Sequence, residues 1–373
     1  CPKCTGSKLP PRKPIFMGAR RRGRKDPTEI LAQGTLLPCG SLHSAILIRQ
    51  SQTLPGWRNG RRWGLKIPWP QGHVGSSPTP GTSLDSAPPH VISCSPAMTP
   101  GQKFRAALAA EKPLQIAGAI NAYSALLAQR AGFRALYLSG AGVANHSYGW
   151  PDTGRTEMAD VLIDARRITQ RVDLPLLVDI DTGWNDPASA VHEMASAGVA
   201  AVHIEDQVPA KLCGHLPGKH LVPTADMVAR LKSAVSGKPD RNFVVMARTD
   251  AANEGVPAAI ARAQAYVAAG ADMIFAEALR SIDDFRAFTA AVKVPVLANL
   301  TEFGQTPYFT VEETSDAGVA MILYPLSASR AAAAASREVY AAIRRDGTQK
   351  NVVGRMQTRA DLYDILGYTP PKP

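Results

Sequence analysis

The chain has 373 residues, 45% of them hydrophobic, and a formal net charge of +11. It contains no uninterrupted run of about 18 apolar residues, which excludes a transmembrane helix. The basic excess lies wholly in residues 1–97, with 14 Lys+Arg against 3 Asp+Glu, whereas residues 98–373 hold 28 of each and suffice for one large domain with a substantial core.

Residues 1–97 also hold four of the five cysteines, three of the five tryptophans and 14 of the 30 prolines. No period of 3.6 or 2 is sustained there, and the apolar runs are short, with prolines punctuating the segment throughout. Arg20-Arg21-Arg22-Gly23-Arg24-Lys25 has the composition of a nucleic-acid-binding arm or a solvated tail. Cys1 and Cys4 form a lone C-x2-C pair, and Cys39 and Cys94 stand apart, so no zinc set is completed. Nothing resembles a secretory cleavage site. The stretch from Gly56-Trp57-Arg58 to Pro68-Trp69, followed by Gly75-Ser76-Ser77-Pro78-Thr79-Pro80-Gly81-Thr82, resembles a spurious translation of a transfer-RNA gene. Met98-Thr99-Pro100-Gly101 reads as a natural start. The expectation is a basic, Pro/Gly-rich, disordered extension over 1–97 and a folded domain over 98–373. One thiol in those 276 residues suits a reducing, cytoplasmic setting.

From there the elements alternate. Apolar runs long enough for buried parallel strands fall at 115–120, 135–139, 175–179, 200–205, 243–247, 272–276, 295–299 and 319–324. Alanine-rich helical stretches separate them, at 123–131, 157–171, 187–197, 224–236, 257–269, 282–291 and 311–317, and a longer one follows at 328–345. Ala131-Gly132, Ala197-Gly198, Ala269-Gly270 and Ala317-Gly318 each end a helix just before a strand, where glycine can adopt the left-handed conformation. Eight such units predict an α/β fold, a (β/α)8 TIM-type barrel with extra C-terminal helices. An open doubly wound sheet is the alternative, but no G-x-G-x-x-G follows the first strand.

In a barrel of this kind the active site lies at the carboxyl ends of the strands. Those ends read Tyr137-Leu138-Ser139-Gly140-Ala141-Gly142, Asp179-Ile180-Asp181-Thr182-Gly183, His203-Ile204-Glu205-Asp206, Ala247-Arg248-Thr249-Asp250, Ala276-Glu277-Ala278 and Asn299-Leu300-Thr301-Glu302. Asp179 and Asp181 are two residues apart and so face one side of an extended chain. With Glu205 and Glu277 they form an oxygen-rich site for a hard cation, Mg²⁺ or alternatively Mn²⁺. Solvated loop acids are the bland alternative. Arg248 is placed to grip a carboxylate through a bidentate pair, or to make a structural salt bridge. Ser139-Gly140-Ala141-Gly142 is small enough for backbone N–H groups to approach an anion. The segment Lys211-Leu212-Cys213-Gly214-His215 sets the one cysteine of this part of the chain between a lysine and a histidine, where a thiol's pKa falls and it can exchange protons. A buried structural cysteine is the alternative.

These motifs resemble the isocitrate lyase/phosphoenolpyruvate mutase superfamily. The match is carried by Ser139-Gly140-Ala141-Gly142-Val143-Ala144, Pro151-Asp152, Leu176-Leu177-Val178-Asp179-Ile180-Asp181-Thr182-Gly183, His203-Ile204-Glu205-Asp206-Gln207, Lys211–His215 and Ala247-Arg248-Thr249-Asp250-Ala251. It continues through Pro295-Val296-Leu297-Ala298-Asn299-Leu300-Thr301-Glu302-Phe303-Gly304, Tyr324-Pro325-Leu326-Ser327, Gly347-Thr348-Gln349-Lys350 and Met356-Gln357-Thr358-Arg359, covering roughly residues 99–368. The resemblance implies a Mg²⁺-dependent carbon–carbon lyase, with the branch that cleaves 2-methylisocitrate to pyruvate and succinate in the methylcitrate cycle of propionate catabolism the nearest. It implies metal residues at Asp179 and Asp181 with Glu205 around them, and a catalytic thiol at Cys213, with Lys211, His215 and Tyr137 in the same machinery. Substrate contacts would fall on Ser139, Gly140, Ala141, Asp152, Cys213, Gly214, Arg248, Glu277, Asn299, Leu300, Thr301, Arg330 and Arg359. Phe275, Leu323 and Pro325 resemble residues that leave room for the extra methyl group. A homotetramer exchanging C-terminal helices is the implied assembly; neither a membrane nor a nucleic acid is an expected partner of 98–373. Isocitrate cleavage, dimethylmalate cleavage and oxaloacetate hydrolysis are the rival reactions, and nucleic-acid binding through residues 1–97 the rival outside catalysis. Ala141 stands where the family usually has glycine, and Asn145-His146-Ser147-Tyr148 with Trp150 is bulkier than the family leads one to expect.

Overall fold

The computed structural model describes residues 97–209, 214–215 and 218–371. The expected extension, apart from Ala97, lies outside the described residues, as do Lys211 and Cys213.

Eight parallel strands close into a barrel in sequence order. They are β1 Leu114–Gly118, β2 Ala135–Leu138, β3 Leu176–Asp179, β4 Ala201–Glu205, β5 Val244–Thr249, β6 Met273–Ala276, β7 Val296–Asn299 and β8 Met321–Tyr324. Each falls within two residues of its predicted run. Closure rules out the open doubly wound sheet. The helices are α1 Pro100–Ala110, α2 Ala122–Arg130, α3 Met158–Thr169, α4 Pro187–Ser196, α5 Thr224–Ser236, α6 Val256–Ala268, α7 Ile282–Ala291, α8 Val311–Asp316, α9 Ser327–Asp346 and α10 Arg359–Leu366, with short helical turns at Gly140–Gly142 and Val143–Ser147 after β2. Among the described residues no helix is long and apolar enough to cross a membrane.

Two of these helices escape the sequence pattern. Thr99-Pro100-Gly101-Gln102 is the capping box of α1: the Thr99 hydroxyl accepts from the Gln102 N–H, and the Gln102 side chain accepts from the Thr99 N–H. Helix α10 is only eight residues long and has no buried residue. All four predicted Ala-Gly helix ends take the left-handed form, with φ of +92° at Gly132, +82° at Gly198, +107° at Gly270 and +76° at Gly318.

The alternation of side chains along the strands creates two concentric cores. Outward residues such as Leu136, Val178, Val202, Val245 and Ile274 pack against the helices. Inward residues, among them Leu114, Ile116, Leu177, Val244, Met246, Met273, Leu297 and Met321, fill the barrel. Phe104 of α1, fully buried, joins this inner cluster. The same inward positions, followed to the carboxyl ends, carry Tyr137, Asp179, His203, Glu205, Arg248, Glu277 and Asn299, all buried. Strand register sets Asp179 beside His203 and Glu205 beside Arg248.

Candidate active site

A cavity of about 360 Å³ opens at the carboxyl ends of the strands. Of the residues expected from the sequence, Tyr137, Ser139, Ala141, Asp152, Asp179, Gly214, His215, Arg248, Glu277, Asn299, Thr301 and Arg330 line it. Gly140, Asp181 and Glu205 lie against lining residues. Leu300 packs into the outer core. Arg359 begins α10, which packs beside α2, and does not line the cavity.

The two aspartates converge by a different route from strand alternation. β3 ends at Asp179, and Asp181 has φ +49°, a left-handed conformation that aspartate tolerates better than most residues. The Asp181 N–H donates to Asp179 Oδ1 (3.0 Å) and the Gly140 N–H to Asp179 Oδ2 (3.2 Å). A Cβ placed on Gly140 would lie 3.1 Å from Asp179 Oδ2 and 3.2 Å from Asp181 Oδ1, so carboxylate oxygens of both residues gather over this one glycine. Among the described residues no three or more His, Cys, Asp or Glu form a closed cage. Two adjacent hard oxygen donors, Asp179 lining the cavity and Asp181 against it, fit Mg²⁺, which keeps several waters and takes one or two carboxylates. Beneath them, His203 is fully buried, its Nε2 2.9 Å from the Tyr137 hydroxyl and 3.6 Å from Asp179 Oδ1, with its ring against Phe275.

Arg248 is the cationic centre. Its Nε and Nη2 fork onto Asp250 (2.9 and 3.0 Å), Nη1 lies 3.3 Å from Glu205 Oε2, and Nη2 lies 3.2 Å from Glu277 Oε2. Burial disfavours its charge, but Asp250, Glu205 and Glu277 outweigh that and hold its pKa well above the usual value. The salt-bridge reading of Arg248 therefore holds, and the same side chain faces the cavity. Burial likewise opposes ionisation of Glu277, yet Arg248 and the hydrogen bond from His215 hold its carboxyl well below the usual range.

His215 has a defined tautomer. Its Nδ1 accepts the Gln305 N–H (2.9 Å), so the ring hydrogen sits on Nε2 and donates to Glu277 Oε1 (2.8 Å). Gly304 permits this contact, since a Cβ there would lie 2.7 Å from His215 Nδ1. His215 thus holds Glu277 and the loop after β7 in place.

Several neighbours were not singled out from the sequence. Lys219, with a side chain only 2% exposed, pairs with Asp250 Oδ1 at 3.0 Å. Asp206 accepts from the Thr249 hydroxyl (2.8 Å), the Tyr266 hydroxyl (2.8 Å) and the Asp250 N–H (2.9 Å). Burial and Asp250 push the Asp206 carboxyl up, against the pull of those donors. Asp206 follows β4 at an outward position and meets Tyr266 of α6, so the inward period gives no signal for it, nor does a lysine in a polar loop. The bulky segment after β2 turns mostly outward: Tyr148 stacks on Trp150, with Arg155 over the Trp150 ring at 4.0 Å, and Asn145 lines the cavity.

Comparison with known proteins agrees with this geometry. Residues 104–344 match the family described as phosphoenolpyruvate phosphomutase. The chain is 60% identical over 272 residues to the 2-methylisocitrate lyase of Shewanella oneidensis, covering 72% of this chain and 93% of that protein. It superposes on 2,3-dimethylmalate lyase with a TM-score of 0.68 at 35% identity, covering 73% and 93% of the two chains. With phosphonopyruvate hydrolase in complex with oxalate and Mg²⁺ the TM-score is 0.63 at 32% identity, covering 72% and 95%. The chain belongs to the phosphoenolpyruvate phosphomutase family.

Proposed function

We propose that this member of the phosphoenolpyruvate phosphomutase family is a Mg²⁺-dependent carbon–carbon lyase that cleaves 2-methylisocitrate to pyruvate and succinate. The observation that carries the reading is the convergence of Asp179 and Asp181 on Gly140, across a cavity from Arg248, in a chain 60% identical to a protein of that activity. Relatives acting on dimethylmalate have the same barrel, so the substrate is argued from the walls. Phe275 and Pro325 give the cavity apolar surface beside its cations, which suits a methyl-bearing tricarboxylate. Leu323, also expected to make room for the methyl, is fully buried beneath this surface.

Asp179 and Asp181 would hold the cation, with Glu205 held by Arg248 behind them. When bound, it supplies a Lewis acid for the oxygens of an α-hydroxy acid. Cleavage breaks the bond between the hydroxyl-bearing carbon and its neighbour. The hydroxyl loses its proton and becomes the keto group of pyruvate, and the electron pair of the broken bond passes into the succinate half. Ser139 and Gly140 present small groups to the carboxylate of the oxoacid half. Arg248 and Arg330 face the carboxylates of the substrate, and Arg248 stabilises charge as it develops. Cys213 supplies the proton that completes succinate, with Lys211 two residues before it in sequence. Tyr137, against His203, is the second group able to move a proton.

Two further assignments accompany this reading. Residues 98–373 carry the activity, so a chain beginning at Met98 should cleave as fast as the full one, and in the cell the enzyme is cytoplasmic. The assembly is a homotetramer that exchanges C-terminal helices, a partner that α9 is suited to meet: only Ser329 and Ala342 of its 20 residues are buried, and Tyr340 is 73% exposed.

The deciding measurement is the oxoacid released. Incubation with 2-methylisocitrate should yield pyruvate, isocitrate should yield little glyoxylate, and chelator should abolish the reaction until Mg²⁺ is restored. Faster glyoxylate release, or undiminished turnover in excess chelator, would overturn the assignment.

A further inference from the structure

A buried lysine is uncommon and costly unless it is paired. Lys219 donates from Nζ to the Gly214 carbonyl and to Asp250 Oδ1, the latter at 3.0 Å. Asp250 Oδ1 also accepts from Arg248 Nη2. The Gly214 backbone is pressed onto this group: a Cβ there would overlap Arg248 Nη2 and lie 2.6 Å from Glu277 Cγ and 2.8 Å from Asp250 Oδ1. Lys219 itself does not line the cavity. The chain returns from it to the barrel through Val208 N–H to the His220 carbonyl, an antiparallel bridge between Gln207 and Leu221, and Val222 N–H to the Asp206 carbonyl. The Gly214–His215 turn is thus tied to the carboxyl end of the barrel through His215, to Glu277 and Gln305, and through Lys219, to Asp250.

We infer that Lys219 is a positioning residue for the cleavage: its ammonium group seats the Gly214–His215 turn on Asp250 and Arg248. The inference rests on the lyase reading and names a residue that acts without touching substrate. Ionic balance alone would give Lys219 a merely structural role, so the test must separate seating from stability.

The full chain is compared with K219M, K219R and a control, K238M. Lys238 pairs with Asp272 at 2.8 Å, ahead of β5, with a side chain 13% exposed. Three quantities are read: kcat for cleavage, the inhibition constant of pyruvate, and hydrogen exchange of the peptide spanning 214–222. In K219M, kcat should fall about 10²-fold, the loss expected when a reacting group is displaced by about 1 Å. Pyruvate inhibition should stay within about two-fold, because its carboxylate meets Ser139 and Gly140 rather than the seated turn. Amides of 214–222 should exchange about ten-fold faster or more, with β2, β3 and β6 unchanged. K219R keeps the cation but replaces a compact ammonium by a planar fork, and should lose about ten-fold in kcat. K238M should lower Tm and leave kcat within about two-fold. Wild-type kcat in K219M, or in K219R should the methionine variant not fold, overturns the inference. So does a loss of kcat with equally faster exchange in every strand. Exchange needs no turnover: faster local exchange in a protein that cleaves none of the candidate substrates would sink the lyase reading and leave the seat standing.

Discussion

The amino and carboxyl halves of the barrel interior are built from the same eight strands with the same alternation, and they do opposite things. Below, Leu114, Ile116, Leu177, Val244, Met246, Leu297 and Met321 meet one another and Phe104. Above, the same inward rows present Asp179, His203, Glu205, Arg248, Glu277 and Asn299. Apolar burial stabilises at about 25 cal/mol per Å². Buried ion pairs, in contrast, return little net stability and are damaging when half-broken. Stability and chemistry are therefore divided along one axis, and each half can be attacked separately.

The largest effect should come from Arg248→Met, which breaks the division by failing in both assays. It leaves Glu205, Asp250 and Glu277 buried without their shared cation, at a cost of about 3–5 kcal/mol in urea unfolding, and it removes charge stabilisation worth about 10²–10³ in kcat. Cys213→Ser should sharpen the division from above. A hydroxyl is a weaker acid than a thiol, so kcat should fall by about 10²–10⁴ with stability unchanged; near-native turnover would move the proton donor elsewhere, with Tyr137 the next residue to vary. Phe104→Ala sharpens it from below, costing about 3–5 kcal/mol in stability while kcat stays within about two-fold; a larger loss of kcat would show that the lower core shapes the site.

Acid should erode the upper half first. The folded carboxyl of Glu277 is held well below its usual range, so its contribution is complete above the unfolded value of about 4.3 and is lost as pH falls below it toward the folded one. The stability gap between the wild type and Glu277→Gln should be flat from about pH 8 to 5 and close below about pH 4. A gap that closes near neutral pH would contradict the assigned partners. The smallest change expected is from Ala141→Gly, which removes one methyl from the cavity wall. It should shift KM by a few-fold at most, since a single methylene is worth about 1 kcal/mol, and leave kcat and Tm near their starting values.

The strands and outer helices were legible because burial on both faces writes continuous apolar runs, and because the Ala-Gly helix ends punctuate them. Helix α1 was hidden: Thr99-Pro100-Gly101-Gln102 reads as a chain start unless the capping box is noticed. The site was legible where it follows the inward period, as for Glu205, Arg248 and Glu277. Asp179 and Asp181 were paired on the right ground of proximity but through the wrong geometry, since a left-handed turn rather than an extended chain brings them together. Lys219 and Asp206 were invisible as partners because their contacts join residues 31 and 44 apart. Nothing in a single sequence marks a loop lysine as buried.

The four left-handed glycines precede β2, β4, β6 and β8, and only those strands. The odd strands β1, β3 and β7 are instead entered directly from Pro113, Pro175 and Pro295. Barrel interiors fill in layers drawn from alternate strands, so the two kinds of entry follow that parity. β5 follows Asn242-Phe243 and has no proline entry, so a proline-entered strand followed by a glycine-entered one marks three of the four pairs of βα units. Duplication, exchange or circular permutation by whole pairs keeps every entry matched to its layer. A shift by a single unit would place proline entries on strands built for glycine exits, so recombination within this fold should succeed in even steps and fail in odd ones.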